Sequence, residues 1–500
     1  MKTSDAHGGN SIARIIFVGI SVVAQATWII LQIVALNHYS VYISLVTSLL
    51  AALVVLKLYS NHTNAAMKMP WIMLILVFPV MGLSLYLLMV VCGDLRGTKK
   101  RLEAVRRGMP AAQNAEVPAG MEWAGSLVHS GNPVYQDTAA AYFGEAKDAF
   151  KALKADLSKA EKFIFMEYFI VEDGEAFREI ESILEQKAAR GVEVRLMYDD
   201  FGSIGVADLK FLRRLNEKGI RCSMFNPALP ILNVFMNHRD HRKIAVIDGK
   251  VGYTGGFNLA GEYFGYTAPL GYWKDTGVRL EGSAVESLTR TFLELWSVTT
   301  RETEDLSRWL GTASPAAGEG FVLPFGDDPL SGERAAEDLY LNLIGSARER
   351  IWFITPYLII TDELTRALGL AARRGVDVRI ITPGIPDKKA VYSMTRSYYA
   401  GLARSGVRIF EYTPGFCHAK MCLRDGETAV IGTSNLDFRS LYLHFENDVI
   451  LHRCPAAADM ERDFETMFEQ SAEVTEQYAA GRGAILMVWQ CVLRLFAPMM

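Results

Sequence analysis

The chain has 500 residues, half of them hydrophobic, and a formal net charge of −4 at pH 7. This length exceeds one ordinary core and indicates two or three folded units. The hydrophobic fraction is typical of a membrane segment joined to a globular body. Residues 1–92 hold four basic residues and one acidic residue, so the remainder carries a net charge of −7. That sign argues against a surface that binds a nucleic-acid backbone.

Three apolar stretches open the chain, at about residues 12–36, 39–59 and 70–92. Each approaches the ~20 residues that a helix needs to cross a bilayer. A cleaved signal peptide would show one such stretch behind a basic region, so the pattern predicts a transmembrane segment of about three helices over residues 1–95. A re-entrant or interfacial position for one stretch is the alternative. Pro79 is expected to kink the third.

A basic linker is predicted over residues 96–130. Its positive side chains begin directly after the third apolar stretch, and they are Arg96, Lys99, Lys100, Arg101, Arg106 and Arg107. Basic residues next to a membrane helix favour the cytoplasmic side. The sequence therefore predicts a multi-pass protein of the cell membrane with a cytoplasmic body. The same residues would attract anionic lipid headgroups, or they form a solvated linker.

The body is predicted to be a duplication, with one half over residues 131–318 and the other over 319–480. The first half contains MEYFIVEDGEAFREIESILEQKAARGVEVRLMYD and the second ITPYLIITDELTRALGLAARRGVDVRIITPG. Each reads as strand, helix and strand, which implies parallel crossovers. The predicted fold class is therefore α/β, with two similar halves. Residues 481–500 form an apolar segment that is expected to lie on the membrane or on the body.

Each half carries one copy of a motif, HRKIAVIDGKVGYTGGFN in the first and HAKMCLRDGETAVIGTSN in the second. Both fit His-x-Lys-x4-Asp, followed after six residues by Gly and three residues later by Asn. The matched residues are His241, Lys243, Asp248, Gly255 and Asn258, and then His418, Lys420, Asp425, Gly432 and Asn435. One His-x-Lys alone is more often structural or metal-binding. Two copies with identical spacing favour a catalytic pair.

The spacing has a physical meaning. His and Lys two positions apart on a strand point to the same face, so both reach one phosphate. This predicts phosphodiester exchange, in which one imidazole attacks phosphorus and the other protonates the leaving alkoxide. The lysines, with Asn258 and Asn435 as phosphate-binding residues, would stabilise charge, and no metal or cofactor is expected.

The acidic residues around the motifs are weaker candidates. Glu262 and Glu446 are predicted as possible residues that orient the catalytic histidines, with a surface ion pair as the alternative. Asp248 and Asp425 complete the motif and are included among the catalytic candidates. Their position one strand-length from each His also favours a turn or interface role.

The motifs resemble those of the phospholipase D superfamily, and the wider sequence resembles the bacterial cardiolipin synthases. The stretches that carry this resemblance are PWIMLILVFPVMGLSLYLL, NHRDHRK, GGFNLAGEY, YWKDTGVRLEGSAV and SNLDFRSLYLHFEND. The resemblance implies two α/β halves that share one active site, and a reaction that converts two phosphatidylglycerols into cardiolipin and glycerol. It also implies His241 as nucleophile and His418 as acid. The family commonly has His where Gly277 stands, and the first apolar stretch is additional.

Several alternatives share this chemistry. A membrane-anchored phospholipase D-type hydrolase would pass the phosphatidyl group to water, and a related transferase would use phosphatidylethanolamine as donor. A nuclease fits poorly with the acidic body, and a non-catalytic scaffold fits poorly with two complete motifs. The expected partners are a phospholipid substrate and the bilayer, without nucleic acid. The sequence leaves the oligomeric state open.

Overall fold

The computed structural model describes Val23, Thr27, Ile30 and residues 40–92, 95–110, 116–227, 237–480 and 484–499. The chain divides into two compact units. One unit consists of Met1–Leu95, Ala228–Asn237 and Val492–Met500, and the other of Arg96–Pro227 and His238–Cys491.

The first unit contains the helices α1 (Ser40–Ser60), α2 (Ala65–Val77) and α3 (Pro79–Cys92). The predicted kink at Pro79 is confirmed as a break, because α2 ends at Val77 and α3 begins at the proline.

Close packing joins α2 and α3, since a Cβ added to Gly82 would lie 2.6 Å from the Cα of Ile75. A small apolar core in this unit contains Ala51, Leu58, Ile75 and Leu83.

Within the described residues, no helix is both long enough and apolar enough to span a bilayer. The first of the three predicted apolar stretches lies outside the described residues, apart from isolated positions.

The predicted linker is partly ordered. It contains α4 (Leu95–Gly108), a 3₁₀ turn at Glu122–Ala124 and α5 (Gly125–His129). The turn and α5 contact a helix of the second half, α10 (Ala335–Ser346), so this part of the linker belongs to the body.

The other helices of the described body flank two sheets. They are α6 (Ala146–Leu157), α7 (Glu175–Ala189), α8 (Leu209–Glu217), α9 (Val285–Thr300), α11 (Asp362–Arg373), α12 (Lys389–Arg404), α13 (Phe438–Tyr442), α14 (Pro455–Glu469) and α15 (Thr475–Ala479). The last helix, α16 (Ala484–Leu495), begins in the body and ends in the first unit. Helical spacing places Phe177, Ile180 and Leu184 on one face of α7, and all three are fully buried.

The first half contributes eight strands. They are β1 (Thr138–Phe143), β2 (Phe163–Tyr168), β3 (Glu193–Asp199), β4 (Arg221–Phe225), β5 (Lys243–Ile247), β6 (Val251–Gly255), β7 (Tyr272–Lys274) and β8 (Gly277–Gly282). Seven of them form a mixed sheet in the order β1-β8-β6-β5-β2-β3-β4. The pairs β2–β3 and β3–β4 are parallel, as the predicted crossovers require.

The second half repeats this arrangement. Its strands are β9 (Phe321–Asp327), β10 (Arg350–Ile354), β11 (Leu358–Ile359), β12 (Asp377–Pro383), β13 (Arg408–Tyr412), β14 (Gly415–Cys417), β15 (Met421–Arg424), β16 (Thr428–Gly432), β17 (Leu436–Asp437), β18 (Glu446–His452) and β19 (Ser471–Glu473). The sheet order is β9-β18-β16-β15-β10-β12-β13, with β19 added at the edge of β13. The predicted duplication is therefore confirmed strand by strand.

The two halves are joined by backbone pairing next to both motifs. Strand β7 of the first half pairs in parallel with β14 of the second, with Lys274 opposite Cys417. On the other side, Asp240 and Phe445 form an isolated parallel bridge. Each crossing lies one residue before a motif histidine, so the fold brings the two histidines to one boundary.

Candidate active site

The two His-Lys pairs stand at equivalent ends of the two central sheets. Lys243 begins β5, with His241 two residues before it, and His418 and Lys420 lie directly before β15. All four side chains are buried. The predicted shared orientation of His and Lys thus places both pairs at the boundary between the halves.

Each histidine receives its carboxylate partner from the other half. The Nδ1 atom of His241 lies 2.8 Å from an oxygen of Glu446, the first residue of β18. The Nδ1 atom of His418 lies 2.7 Å from an oxygen of Asp275, which precedes β8. A carboxylate at Nδ1 fixes the tautomer that leaves Nε2 with a free lone pair.

Backbone hydrogen bonds hold this exchange in place. The amide of His241 donates to the carbonyl of Phe445 at 2.9 Å, and the amide of His418 donates to the carbonyl of Lys274 at 2.8 Å. Both acceptors immediately precede the carboxylate residue that binds the same histidine. The two halves therefore meet with approximate twofold symmetry around the site.

Burial keeps both imidazoles neutral. It lowers the pKa of His418 to about 4 and that of His241 well below its ordinary value, although Asp275 and Glu446 oppose these shifts. Burial alone would raise the pKa of Glu446, but its electrostatic interaction and hydrogen bond with His241 hold it well below its usual range. The pair at His241 is thus a neutral imidazole donating to an ionised carboxylate.

The pKa values of the two lysines lie near neutral pH. Burial lowers the pKa of Lys243 to about 7, with Glu446 opposing, and that of Lys420 to about 8, with Asp275 opposing. The positive charge of Lys420 also contributes to the shift of Lys243, so the two amines are close enough to interact. A phosphate between them would meet two desolvated cations.

The predicted phosphate-binding asparagines have different environments. Asn258 accepts from the amide of Ile170 at 3.1 Å and donates to the hydroxyl of Tyr263 at 2.7 Å. The Tyr263 ring stands 5.4 Å from that of His418. The side-chain oxygen of Asn435 is buried and has no hydrogen-bond partner within the described residues. Asn258 is therefore held by the protein, whereas Asn435 retains an unused acceptor.

The structure places Asp248 and Asp425, which the sequence includes among the catalytic candidates, away from the two lysines. Each stands in a left-handed turn, with φ of 53° and 52°, directly after the strand that follows its motif histidine. A strand of that length separates them from the lysines by roughly 17 Å. Asp248 instead accepts three backbone amides, from Glu161, Lys162 and Phe163, at 2.7 to 2.8 Å.

Asp425 repeats this role in the second half. It accepts from the amides of Arg348, Glu349 and Arg350, at 2.8 to 3.2 Å. Both aspartates therefore anchor the start of the neighbouring strand.

Glu262, predicted as a residue that could orient a catalytic histidine, does not hold that position in the structure. In the described part of the chain it forms no hydrogen bond with either histidine, and Asp275 occupies the position against His418. Glu446, in contrast, stands where an orienting residue was expected. A signal for Asp275 exists in the sequence, because DTGVRL and ENDVIL each place an acid before the apolar strand that follows the motif.

The motif glycines make room for these acids. A Cβ at Gly256 would lie 2.1 Å from a carboxylate oxygen of Asp275, and one at Gly432 would lie 2.1 Å from a carboxylate oxygen of Asp448. Each glycine therefore allows the close approach of the acid-bearing segment of the same half.

Comparison with known proteins places these features in a family. The model described as "Cardiolipin synthase, PLD-like domain" matches residues 153–296 and 340–468. The model described as "Phospholipase D-nuclease N-terminal" matches residues 46–89.

Curated relatives match over most of the chain. A cardiolipin synthase of Halalkalibacterium halodurans is 32% identical over 457 residues, which cover 89% of this chain and 91% of the relative. Cardiolipin synthase 2 of Bacillus cereus is 37% identical over 356 residues, which cover 71% and 69%.

Among solved structures, phosphatidylserine synthase of Haemophilus influenzae Rd KW20 matches with a TM-score of 0.58 and 14% identity. It covers 77% of this chain and 98% of its own. At that identity the likeness concerns the fold alone.

Proposed function

The chain belongs to the cardiolipin synthase family of phospholipase D-like proteins, and on that premise we propose that it transfers a phosphatidyl group from one phosphatidylglycerol to another, giving cardiolipin and glycerol. The observation that carries this proposal is the pair of neutral, buried histidines, each held at Nδ1 by a carboxylate of the other half. Such a pair supplies one nucleophile and one proton carrier.

In the proposed first step, Nε2 of His241 attacks phosphorus and the bond to the glycerol oxygen breaks. His418 gives its proton to the departing glycerol. The phosphodiester anion favours the protonated form of His418 before this step, because a negative charge nearby stabilises the imidazolium. Lys243 and Lys420 balance the charge on the phosphate oxygens as it redistributes in the transition state.

In the second step, His418 takes the proton of a hydroxyl on a second phosphatidylglycerol. The resulting oxygen attacks phosphorus, the bond to His241 breaks, and cardiolipin forms. One phosphodiester replaces another, so no nucleotide is needed. The bond energy is kept in the covalent intermediate between the steps.

The contacts of the two rings support His241 as the nucleophile. The amine of Lys243 donates to the backbone carbonyl oxygen of His241 at 2.6 Å. The Nε2 atom of His241 receives no hydrogen bond from the described residues. At His418 the amine of Lys420 lies 3.0 and 3.1 Å from the two ring nitrogens. A cation beside Nε2 disfavours attack through that atom, so His418 is less suited to be the nucleophile than His241.

We propose that the N-terminal unit attaches the chain to the cell membrane, with the catalytic body on the cytoplasmic side. The family match over residues 46–89 supports this proposal. So do the exposed leucines of α1, Leu45, Leu49, Leu53 and Leu56, which are each more than half exposed. The basic residues of α4 follow directly, as expected for the cytoplasmic face.

Product analysis tests the proposed reaction. The full chain, purified and mixed with phosphatidylglycerol alone in detergent micelles, should produce cardiolipin and glycerol in equal amounts without nucleotide. Added labelled glycerol should enter phosphatidylglycerol by the reverse reaction.

Other products would identify the alternatives. Phosphatidic acid as the main product would show that the enzyme is a hydrolase. Cardiolipin formed only after phosphatidylethanolamine is added would show that phosphatidylethanolamine is the donor lipid. A requirement for a CDP-activated lipid would contradict the two-histidine exchange.

A further inference from the structure

A third imidazole stands beside the site and has no part in the proposed reaction. His444 lies two residues before Glu446, is buried, and packs with its ring centroid 5.6 Å from that of His241. Within the described ranges, neither of its ring nitrogens has a hydrogen-bond partner. A buried imidazole with two unpaired nitrogens is costly unless something binds it.

The neighbours of His444 are those of a chelating site. His241, His444 and Glu446 each offer one ligand atom, and these atoms lie within 4.8 Å of one another. The Nδ1 atom of His444 is 3.6 Å from one Glu446 oxygen, and the Nδ1 atom of His241 is 2.8 Å from the other. Ligands bound to one zinc ion at about 2.0 to 2.2 Å have separations of this order.

We propose that His241, His444 and Glu446 bind a divalent transition-metal ion of the zinc class, and that this ion inhibits the enzyme. Two imidazoles and one carboxylate suit Zn²⁺, Co²⁺ and their neighbours, whereas Mg²⁺ and Ca²⁺ prefer oxygen ligands. Three protein ligands leave a fourth position for water or a phosphate oxygen.

Inhibition follows from the atom that the ion occupies. The ion binds the lone pair at Nδ1 of His241, and the ring stays neutral because its one proton moves through solvent from Nδ1 to Nε2. Glu446 then binds the ion and no longer accepts that proton. With its proton on Nε2, the metal-bound imidazole has no free lone pair with which to attack phosphorus. Metal binding does not depend on the proposed function, whereas the loss of activity rests on the proposed role of His241.

The other half of the site provides an internal comparison. At the position equivalent to His444, two residues before Asp275, stands Trp273, with its ring centroid 5.9 Å from that of His418. An indole N–H is a donor only and cannot bind a metal. Within the described residues, the chelating triad therefore exists beside His241 and not beside His418.

Metal titration of the full chain, freed of metal by a chelator, tests the site without any turnover. Co²⁺ should bind one ion per chain with the visible absorption of a low-coordinate site, and Zn²⁺ should displace it. His444→Asn should weaken Zn²⁺ binding by at least about 100-fold, since even partners outside the ligand set contribute about 10- to 100-fold. His129→Asn, which removes an exposed imidazole of α5, should bind like the unaltered chain.

Activity measured in parallel completes the test. Zn²⁺ should inhibit the unaltered chain at the concentration at which it binds, and His444→Asn should keep its activity at that concentration. His444→Gln repeats the loss of the ligand with a different volume, and circular dichroism checks the fold of both variants. Unchanged Zn²⁺ binding by both folded variants would overturn the proposal, as would activity that a chelator abolishes. A chain that binds Zn²⁺ through His444 but makes no cardiolipin would refute the proposed function and leave the metal site standing.

Discussion

At the residue scale, the orientation of each catalytic histidine depends on a carboxylate that the other half of the body supplies. The His-x-Lys spacing is local, so it identified His241 and His418 with their lysines. Asp275 acts on His418 across 143 positions of the chain. Such a partner depends on the crossing of the two halves, so the sequence predicts Glu446, which follows its motif, but not Asp275.

Removing either carboxylate tests this arrangement. Asp275→Asn and Glu446→Gln should each lower kcat by about 100-fold or more, the size of a general acid–base contribution, because the histidine loses its tautomer and orientation. KM should change little, since neither acid meets the phosphate.

The matched control is Glu262→Gln, which should retain full activity. Asp275→Glu should recover part of the lost kcat. Equal losses in the Glu262 and Asp275 variants would contradict the assignment.

The lysines predict a loss of activity on the alkaline side. A lysine is charged below its pKa and neutral above it, and burial places these values at about 7 for Lys243 and about 8 for Lys420. The attraction for a phosphodiester anion therefore falls as the pH rises. We expect kcat/KM to decline from about pH 7 to about pH 9.

Lys243→Arg keeps its charge across that range and should decline less steeply, whatever its absolute rate. A pH–rate profile that rises over the same interval in the unaltered chain would contradict this account.

At the scale of elements, the sequence indicated the α/β duplication, because each half repeats strand, helix, Arg-Gly-Val and strand. It did not indicate β1 and β9, which complete the equivalent sheet edges, or the short β7–β14 pair that joins the halves. β7 and β14 have only three residues each and lack a distinguishing pattern. Their pairing depends on the contact between the halves.

The Asp-Gly turn after each motif strand belongs to this scale. Asp248→Ala should lower the free energy of unfolding by about 2 kcal/mol or more, because three backbone amides lose their acceptor and alanine disfavours a φ of 53°. Asp425→Ala should behave similarly. The folded fraction should keep its kcat, as measured by thermal melting and assay of the same sample.

Asp248→Asn is the milder control, since asparagine tolerates the left-handed turn and keeps an acceptor. A normal melting temperature with kcat lost would restore Asp248 as a catalytic residue.

At the scale of the whole molecule, the sequence predicts some features of the segments between the apolar stretches and the body, but not others. The break at Pro79 followed from the proline alone. The helical structure within the predicted linker could not be predicted in this way, because it depends on partners far along the chain. Arg106 of α4 pairs with Glu294 at 2.8 Å and with Asp328 at 2.9 Å, and both acids lie far along the chain.

Truncation tests the independence of the body. A chain starting at Arg96 should melt cooperatively, because both sheets and the site lie within residues 96–227 and 238–491. We expect activity on phosphatidylglycerol in detergent micelles, and a large loss on vesicles, where the attached N-terminal unit would concentrate the lipid. Circular dichroism and the two assays measure this. An aggregated, unfolded product would show that the first unit is required for folding.

The central claim is covalent transfer through a histidine, and rapid quenching with labelled phosphatidylglycerol measures it directly. Peptide mapping of the quenched full chain should find the phosphatidyl group on His241, as an adduct that is stable to base and labile to acid. An adduct on His418 would exchange the two proposed roles. Turnover to cardiolipin with label on neither histidine would contradict the account.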